Sequence, residues 1–175
     1  WETDLIDAPL PKARYDLIFA RWVFLFLPEP EKHLRKLARA LKPGGRIAIQ
    51  DYHRESMALY PVPRDWPALM AADQAFFKTQ GGDASIGGRR PALYKKIGLS
   101  PESANATLKT GFPGSATWIW ASWYFLDMMP RLGKLKPFSP AAARRTAAAW
   151  RAAARRPESL FVAPAVIDAV ARKPR

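Results

Sequence analysis

The sequence contains no cysteine and only two histidines. Disulfides, thiolate metal centres and a cysteine nucleophile are therefore excluded, and a reducing, cytoplasmic setting is permitted. Long apolar runs are also missing. A helix that crosses a bilayer needs about 18 apolar residues free of charge. The longest apolar stretch near the start, Phe19 to Leu27, is interrupted by Arg21. The first twenty residues carry acids and prolines and no basic stretch followed by an apolar one, so no secretory leader is expected. The chain opens on Trp1, not on a methionine. Negative charge is the scarcest resource: 15 acids face 28 Lys/Arg, a formal charge of +13. From Arg131 onward eleven Lys/Arg stand against Glu158 and Asp168 alone. Such an excess suits a phosphate-bearing partner. No aromatic-interleaved RNA-binding signature accompanies it, so a solvated Ala/Arg-rich helical surface is the preferred reading.

What is present fills one domain of 175 residues with a real core. Tyr15-Asp-Leu-Ile-Phe19 reads as a short strand, apolar enough to be a central parallel strand buried on both faces. Residues 30–41 place Leu34, Leu37 and Leu41 at helical spacing behind Pro30, with His33 expected at the surface. Lys42-Pro43-Gly44-Gly45 stops that helix. Arg46 to Gln50 then alternates and reads as a second strand ending at Asp51. Strand, helix and strand in under forty residues imply a parallel crossover unit. Further on, helices are expected over 63–80, 86–97, an aromatic segment around 118–125, and 139–156. Ser139 is the expected N-cap of the last of these, with Pro140 at its first position. Strands are expected at 102–110 and in the apolar segment Val166 to Ala171.

Several stretches resemble class I S-adenosylmethionine-dependent methyltransferases of the ubiquinone-biosynthesis-like group. Asp4-Leu5 with Ala8-Pro9-Leu10-Pro11 is similar to the loop after that family's third strand. Tyr15 to Val23, running into Phe26-Leu27-Pro28-Glu29-Pro30, is similar to its fourth strand and the loop at the cofactor's methionine end. Leu37 to Asp51 resembles the helix, Pro-Gly-Gly turn and fifth strand. Gly81-Gly82-Asp83, Ile86-Gly87 and Gly98-Leu99 form a weaker match. The resemblance implies an α/β fold: a partial Rossmann-like class I methyltransferase sheet, strands four to seven, with helical lid insertions. It implies one domain divided into a cofactor-side part (1–55), a mostly helical lid and acceptor region (56–158) and a terminal strand (159–175). The family's glycine-rich loop and the acid that binds the ribose belong to its N-terminal half, and neither occurs upstream of Asp4. The chain is therefore expected to be a C-terminal half, to bind cofactor weakly or not at all alone, and to expose the edge of the Tyr15–Phe19 strand.

Methyl transfer from a sulfonium asks the protein for positioning and water exclusion more than for a catalytic triad or a metal. By family position, the resemblance assigns cofactor contacts to Asp4, Leu5, Ala20, Arg21 and Trp22, with Asp7 competing for the role of Asp4. His53 follows the expected end of the second strand, where ligands gather, and is the candidate general base. Tyr52 shares that place. Asp51 there could orient an acceptor or cap a helix. Trp66 and Trp120 are the candidate substrate contacts within an aromatic set that reads equally as core and as pocket. The leading expectation is S-adenosylmethionine-dependent transfer to a small, apolar or aromatic acceptor. The alternatives are a non-catalytic fragment or binding partner, and a methyltransferase acting on RNA or protein.

Overall fold

A computed structural model describes residues 4–7 and 9–175. Trp1 and Ala8, which the sequence reading used, lie outside the described residues. The elements follow in the order β1 (Tyr15–Arg21), α1 (Pro30–Ala40), β2 (Leu41–His53), β3 (Ala58–Tyr60), α2 (Trp66–Thr79), α3 (Ile86–Lys96), β4 (Ser100–Thr107), β5 (Thr110–Gly111), α4 (Ala116–Leu132), α5 (Pro140–Ala153), β6 (Leu160–Val162) and β7 (Ala165–Arg172). No described helix is long and apolar enough to cross a membrane. The chain divides into two compact units.

The first unit comprises residues up to Tyr52, Gly81–Thr107 and Val166–Arg175. Its sheet has the order β1-β2-β7-β4. β1 and β2 are parallel, with Ile18 opposite Ile47 and Ala20 opposite Ile49. This is the crossover pair expected from the pattern. Proline suits the first turn of α1 because its fixed φ is already helical. The helix buries Leu34, Leu37 and His33 together. His33, expected at the surface, is 3% exposed, because it lies one turn from Leu37 on the core face. The Lys-Pro-Gly-Gly stretch lies inside the first half of β2 instead of forming a separate turn. At that end, Gly44 N–H donates to Lys173 O (3.0 Å) and Lys173 N–H donates to Gly45 O (2.8 Å), tying the tail of β7 to the start of β2. β7 runs antiparallel to β4.

One expectation fails here. β1 is the edge of the sheet, not a strand buried on both faces: Leu17 and Phe19 are 61% and 63% exposed. Alternate residues of a strand share a face, so these two present one unpacked apolar face.

α3 anchors to the sheet through two buried polar contacts. Tyr94 Oη donates to Ala169 O (3.1 Å), and burial pushes its hydroxyl pKa well up. Arg90 Nη2 donates to Asp51 Oδ2 at 2.6 Å, with both side chains buried, and its guanidinium also lies 4.7 Å from the Phe24 ring centre. Burial pushes the Asp51 carboxyl up, against the pull of Arg90 and of the Leu25 and Phe24 backbone. Asp51 is thus neither a helix cap nor a group facing an acceptor; it is the buried counter-ion of Arg90.

The second unit comprises His53–Gln80 and Leu108–Ala165. A small antiparallel sheet, β3-β6-β5, accompanies α2, α4 and α5. Ser115 and Ser139 cap α4 and α5 by accepting from the backbone N–H groups of Trp118 and Ala142. The core is aromatic. Trp150 is 1% exposed, with Phe125, Phe161, Trp118 and Trp66 around its ring. Its indole N–H donates to Ser122 Oγ (2.8 Å), so the one polar atom of the ring is satisfied. At the rim, Arg145 grips Asp65 through two hydrogen bonds of 3.0 and 2.9 Å.

Removing one member of a buried ion pair strands the other. Asp51→Ala is expected to lower unfolding free energy by about 3–5 kcal/mol, read from urea denaturation. A loss no larger than that of an exposed substitution would show that Arg90 finds another partner. Arg145 holds the Asp65 carboxyl below its ordinary range. The folded pKa is depressed, so this contribution is present above the unfolded value of about 3.9 and lost as pH falls through the folded one. Wild type and Asp65→Asn should therefore differ in urea midpoint at neutral pH and converge as pH drops below about 4. A gap independent of pH would refute that assignment.

Candidate functional site

In open α/β sheets ligands gather beyond the carboxyl ends of parallel strands. In the first unit those ends belong to β1 and β2, and they carry Arg21, Trp22 and Tyr52. Trp22 has φ 54°, in the left-handed region that a bulky side chain rarely adopts. Such a conformation costs on the order of 1–3 kcal/mol and concentrates at functional positions. It is held in place: Trp22 N–H donates to Gln50 O (2.8 Å), and the indole stacks on Tyr52 at 5.5 Å with planes 12° apart. The Arg21 guanidinium sits 4.1 Å from the Trp22 ring centre. Trp22 remains 40% exposed, so this stack faces solvent. Ala20, opposite Ile49, is half-buried just before it.

The segment that follows is clamped from behind. Leu25 O accepts from Asp83 N–H (2.9 Å). A Cβ on Gly82 would lie 2.3 Å from that same oxygen, so only glycine fits there. With Arg90 against Phe24 and bonded to Asp51, residues 22–27 are fixed by buried contacts.

Asp4 and Leu5 are placed by α1. Lys36 Nζ donates to Leu5 O (2.7 Å), and Asp4 Oδ1 accepts from Ile6 N–H (2.7 Å) in a local turn. Asp4 and Asp7 are both exposed. The structure thus brings Arg21, Trp22 and Tyr52 into contact and holds Asp4 and Leu5 separately by way of Lys36.

The remaining candidates lie in the second unit. His53 ends β2. Its Nε2 is 3.8 Å from Glu55 Oε2, and its Nδ1 is buried without a hydrogen-bond partner among the described residues. Trp66 is a core residue, 7% exposed and packed against Phe125 and Trp150. Burial on that scale removes it from the substrate-contact set. Trp120 is 37% exposed and stacks on Tyr124 with planes 11° apart. Behind Tyr124 lies a network that the sequence reading missed. Arg54 makes a two-pronged contact with Asp73 (2.7 and 2.9 Å), and Tyr124 Oη donates to the same carboxylate (2.7 Å). The Arg54 guanidinium also lies over the Phe77 and Tyr124 rings. Burial raises the Tyr124 hydroxyl pKa, so it remains a proton donor to Asp73 at neutral pH. The available signal was a lone acid, Asp73, among the apolar residues of α2.

Residues 2–49 match a family described as a methyltransferase domain. Among curated proteins, the chain is 30% identical over 101 residues to 27-O-demethylrifamycin SV methyltransferase of Amycolatopsis mediterranei, covering 58% of this chain and 35% of that protein. It is 38% identical over 79 residues to trans-aconitate 2-methyltransferase of Azoarcus sp., covering 43% and 31%. The chain spans about a third of the length of these relatives. Among solved structures, BH2331 of Bacillus halodurans C-125, described as a methyltransferase, aligns with a TM-score of 0.58 at 14% identity, over 99% of this chain and 71% of that one. YcgJ of Bacillus subtilis aligns with a TM-score of 0.58 at 16% identity, over 99% and 70%. Residues 2–49 thus match the methyltransferase-domain family, and the chain shares the α/β fold of these two solved structures.

Proposed function

We propose that this chain supplies the C-terminal half of a domain that transfers the methyl group of S-adenosylmethionine to a small-molecule acceptor. The observation that carries the reading is the strained, solvent-facing Trp22 at the tip of a parallel strand pair, flanked by Arg21 and Tyr52. The residues fit the cofactor's chemistry. Arg21 offers a cation for a carboxylate, and the Trp22–Tyr52 stack offers aromatic surface to a cationic sulfonium. Asp4 and Leu5 offer a carboxylate and backbone groups to a nucleobase. When bound, the cofactor supplies an activated methyl group with its own leaving group. The protein's share is to hold the acceptor in line and keep water out. His53 takes the acceptor's proton where the acceptor is a hydroxyl or amine. Within the second unit, the Trp120–Tyr124 stack, backed by Arg54 and Asp73, offers aromatic surface to an apolar or aromatic acceptor. Both curated relatives are named for small-molecule acceptors, which supports that class.

The open edge of β1 supports the half-domain reading, because further strands of the same sheet would pair along it. It equally favours a second reading, a non-catalytic chain that binds a partner along that edge.

Calorimetric titration separates the parts of this proposal. This chain alone should show no binding of S-adenosylmethionine at micromolar concentrations. Completed with the N-terminal strands of a family member, it should bind and transfer labelled methyl groups. In that completed domain, Trp22→Ala should weaken cofactor binding at least about tenfold, or 1.4 kcal/mol. Micromolar binding by the chain alone overturns the half-domain reading, and a completed domain that neither binds nor transfers favours the non-catalytic one.

A further inference from the structure

We propose that the groove between α4 and α5 binds a soluble single-chain anionic amphiphile, an aliphatic carboxylate or alkyl phosphate. The two helices are held side by side at both ends. Near the hairpin, Gly133 permits close approach: a Cβ there would lie 3.0 Å from Ala143 Cβ and 3.3 Å from Pro140 Cα. At the other end, the Trp150 indole N–H reaches Ser122 Oγ at 2.8 Å. Between these points lies an open groove of about 470 Å³, within the roughly 300–1,000 Å³ of small-ligand sites.

Its floor is aliphatic. Leu126, Met129 and Pro130 come from α4, and Ala143 and Ala147 come from α5. The alanines, one turn apart on one face, keep the groove open because they extend only a methyl group. The rim is cationic: Lys134, Arg144 and Arg151 line it and are exposed. Among the described residues, none of the three has a carboxylate at ion-pair distance, whereas the adjacent Arg145 is neutralised by Asp65. No acid lines the groove, and residues 128–157 contain eight Lys/Arg and no Asp or Glu. The lining therefore carries three cations and no acid, the nearest acid along α4 being the exposed Asp127.

Charge selects an anion, and the floor selects what the anion carries. The lining holds no aromatic plane for a base to stack on and no acceptor for its edge, which disfavours nucleic acid. Alkyl side chains reward the burial of an alkyl chain, and more so with each methylene. Arg144 and Arg151 are two turns apart, about 10 Å along the helix, with Ala147 between them. An anionic head at one arginine leaves an aliphatic tail lying across the alanine floor.

The test is isothermal titration of this chain with decanoate and decyl phosphate, beside decyltrimethylammonium, inorganic phosphate and phosphatidylglycerol vesicles. Both decyl anions should bind, and the cation and inorganic phosphate should bind at least tenfold more weakly. The double variant Arg144→Glu/Arg151→Glu, altered only at exposed positions, should lose at least tenfold in affinity for decanoate with an unchanged far-UV circular dichroism spectrum. Ala147→Leu, at a buried floor position and with its far-UV spectrum unchanged, should weaken both decyl anions while leaving any phosphate binding unchanged. Equal binding of the decyl cation overturns the proposal, as does affinity unchanged in the double variant. Binding to vesicles without binding to monomeric decanoate overturns it in favour of a membrane surface.

Discussion

The parallel pairing of β1 with β2 is the constraint from which the rest of the first unit follows. Two parallel strands need a crossover between them, and α1 provides it with Leu34 and Leu37 packed inward. Parallel pairing also brings both carboxyl ends to one edge of the sheet. That is why Trp22 and Tyr52, thirty residues apart in sequence, can stack ring on ring. Gln50 O receives the Trp22 N–H, so the ladder continues one residue past β1 and holds the indole in its left-handed turn.

Each unit also encloses one arginine–aspartate pair beneath aromatic rings. In the first, Arg90 meets Asp51 and Phe24; in the second, Arg54 meets Asp73, Tyr124 and Phe77. Buried pairs of this kind give little net stability, because desolvation offsets their attraction. They penalise any arrangement that separates the partners. Asp51 sits at the end of β2 and Arg90 on α3, so their union fixes where the loop after β1 can run. Asp73 on α2 and Tyr124 on α4 do the same for the surface that carries Trp120. The rigid parts of both candidate surfaces thus rest on charges that face away from solvent.

The excess positive charge is unevenly employed. Arg46 and Arg172 share Glu102, Lys96 and Arg35 share Glu31, and Arg145 takes Asp65. With acids so scarce, the cations of α5 and of the turn before it stay mostly unopposed. They border the aliphatic groove proposed above as an amphiphile site.

Features governed by near neighbours could be read from the residues alone. The leucine spacing of α1, the Ser139 cap, the aromatic helix and the strands expected at 15–19 and 166–171 depend on contacts within a few positions or on simple periodicity. So does the order of elements that resembles the methyltransferase family. The short strands at 58–60 and 160–162 escaped, since three residues are too few for alternation to show. The exposure of Leu17 and Phe19 escaped because an apolar strand reads the same at the edge of a sheet as at its centre. Trp66 becomes packing and Asp51 becomes a counter-ion only when residues 39 to 84 positions apart are brought together. Burial is a property of what packs against a side chain, and one-dimensional order does not say which segments will meet.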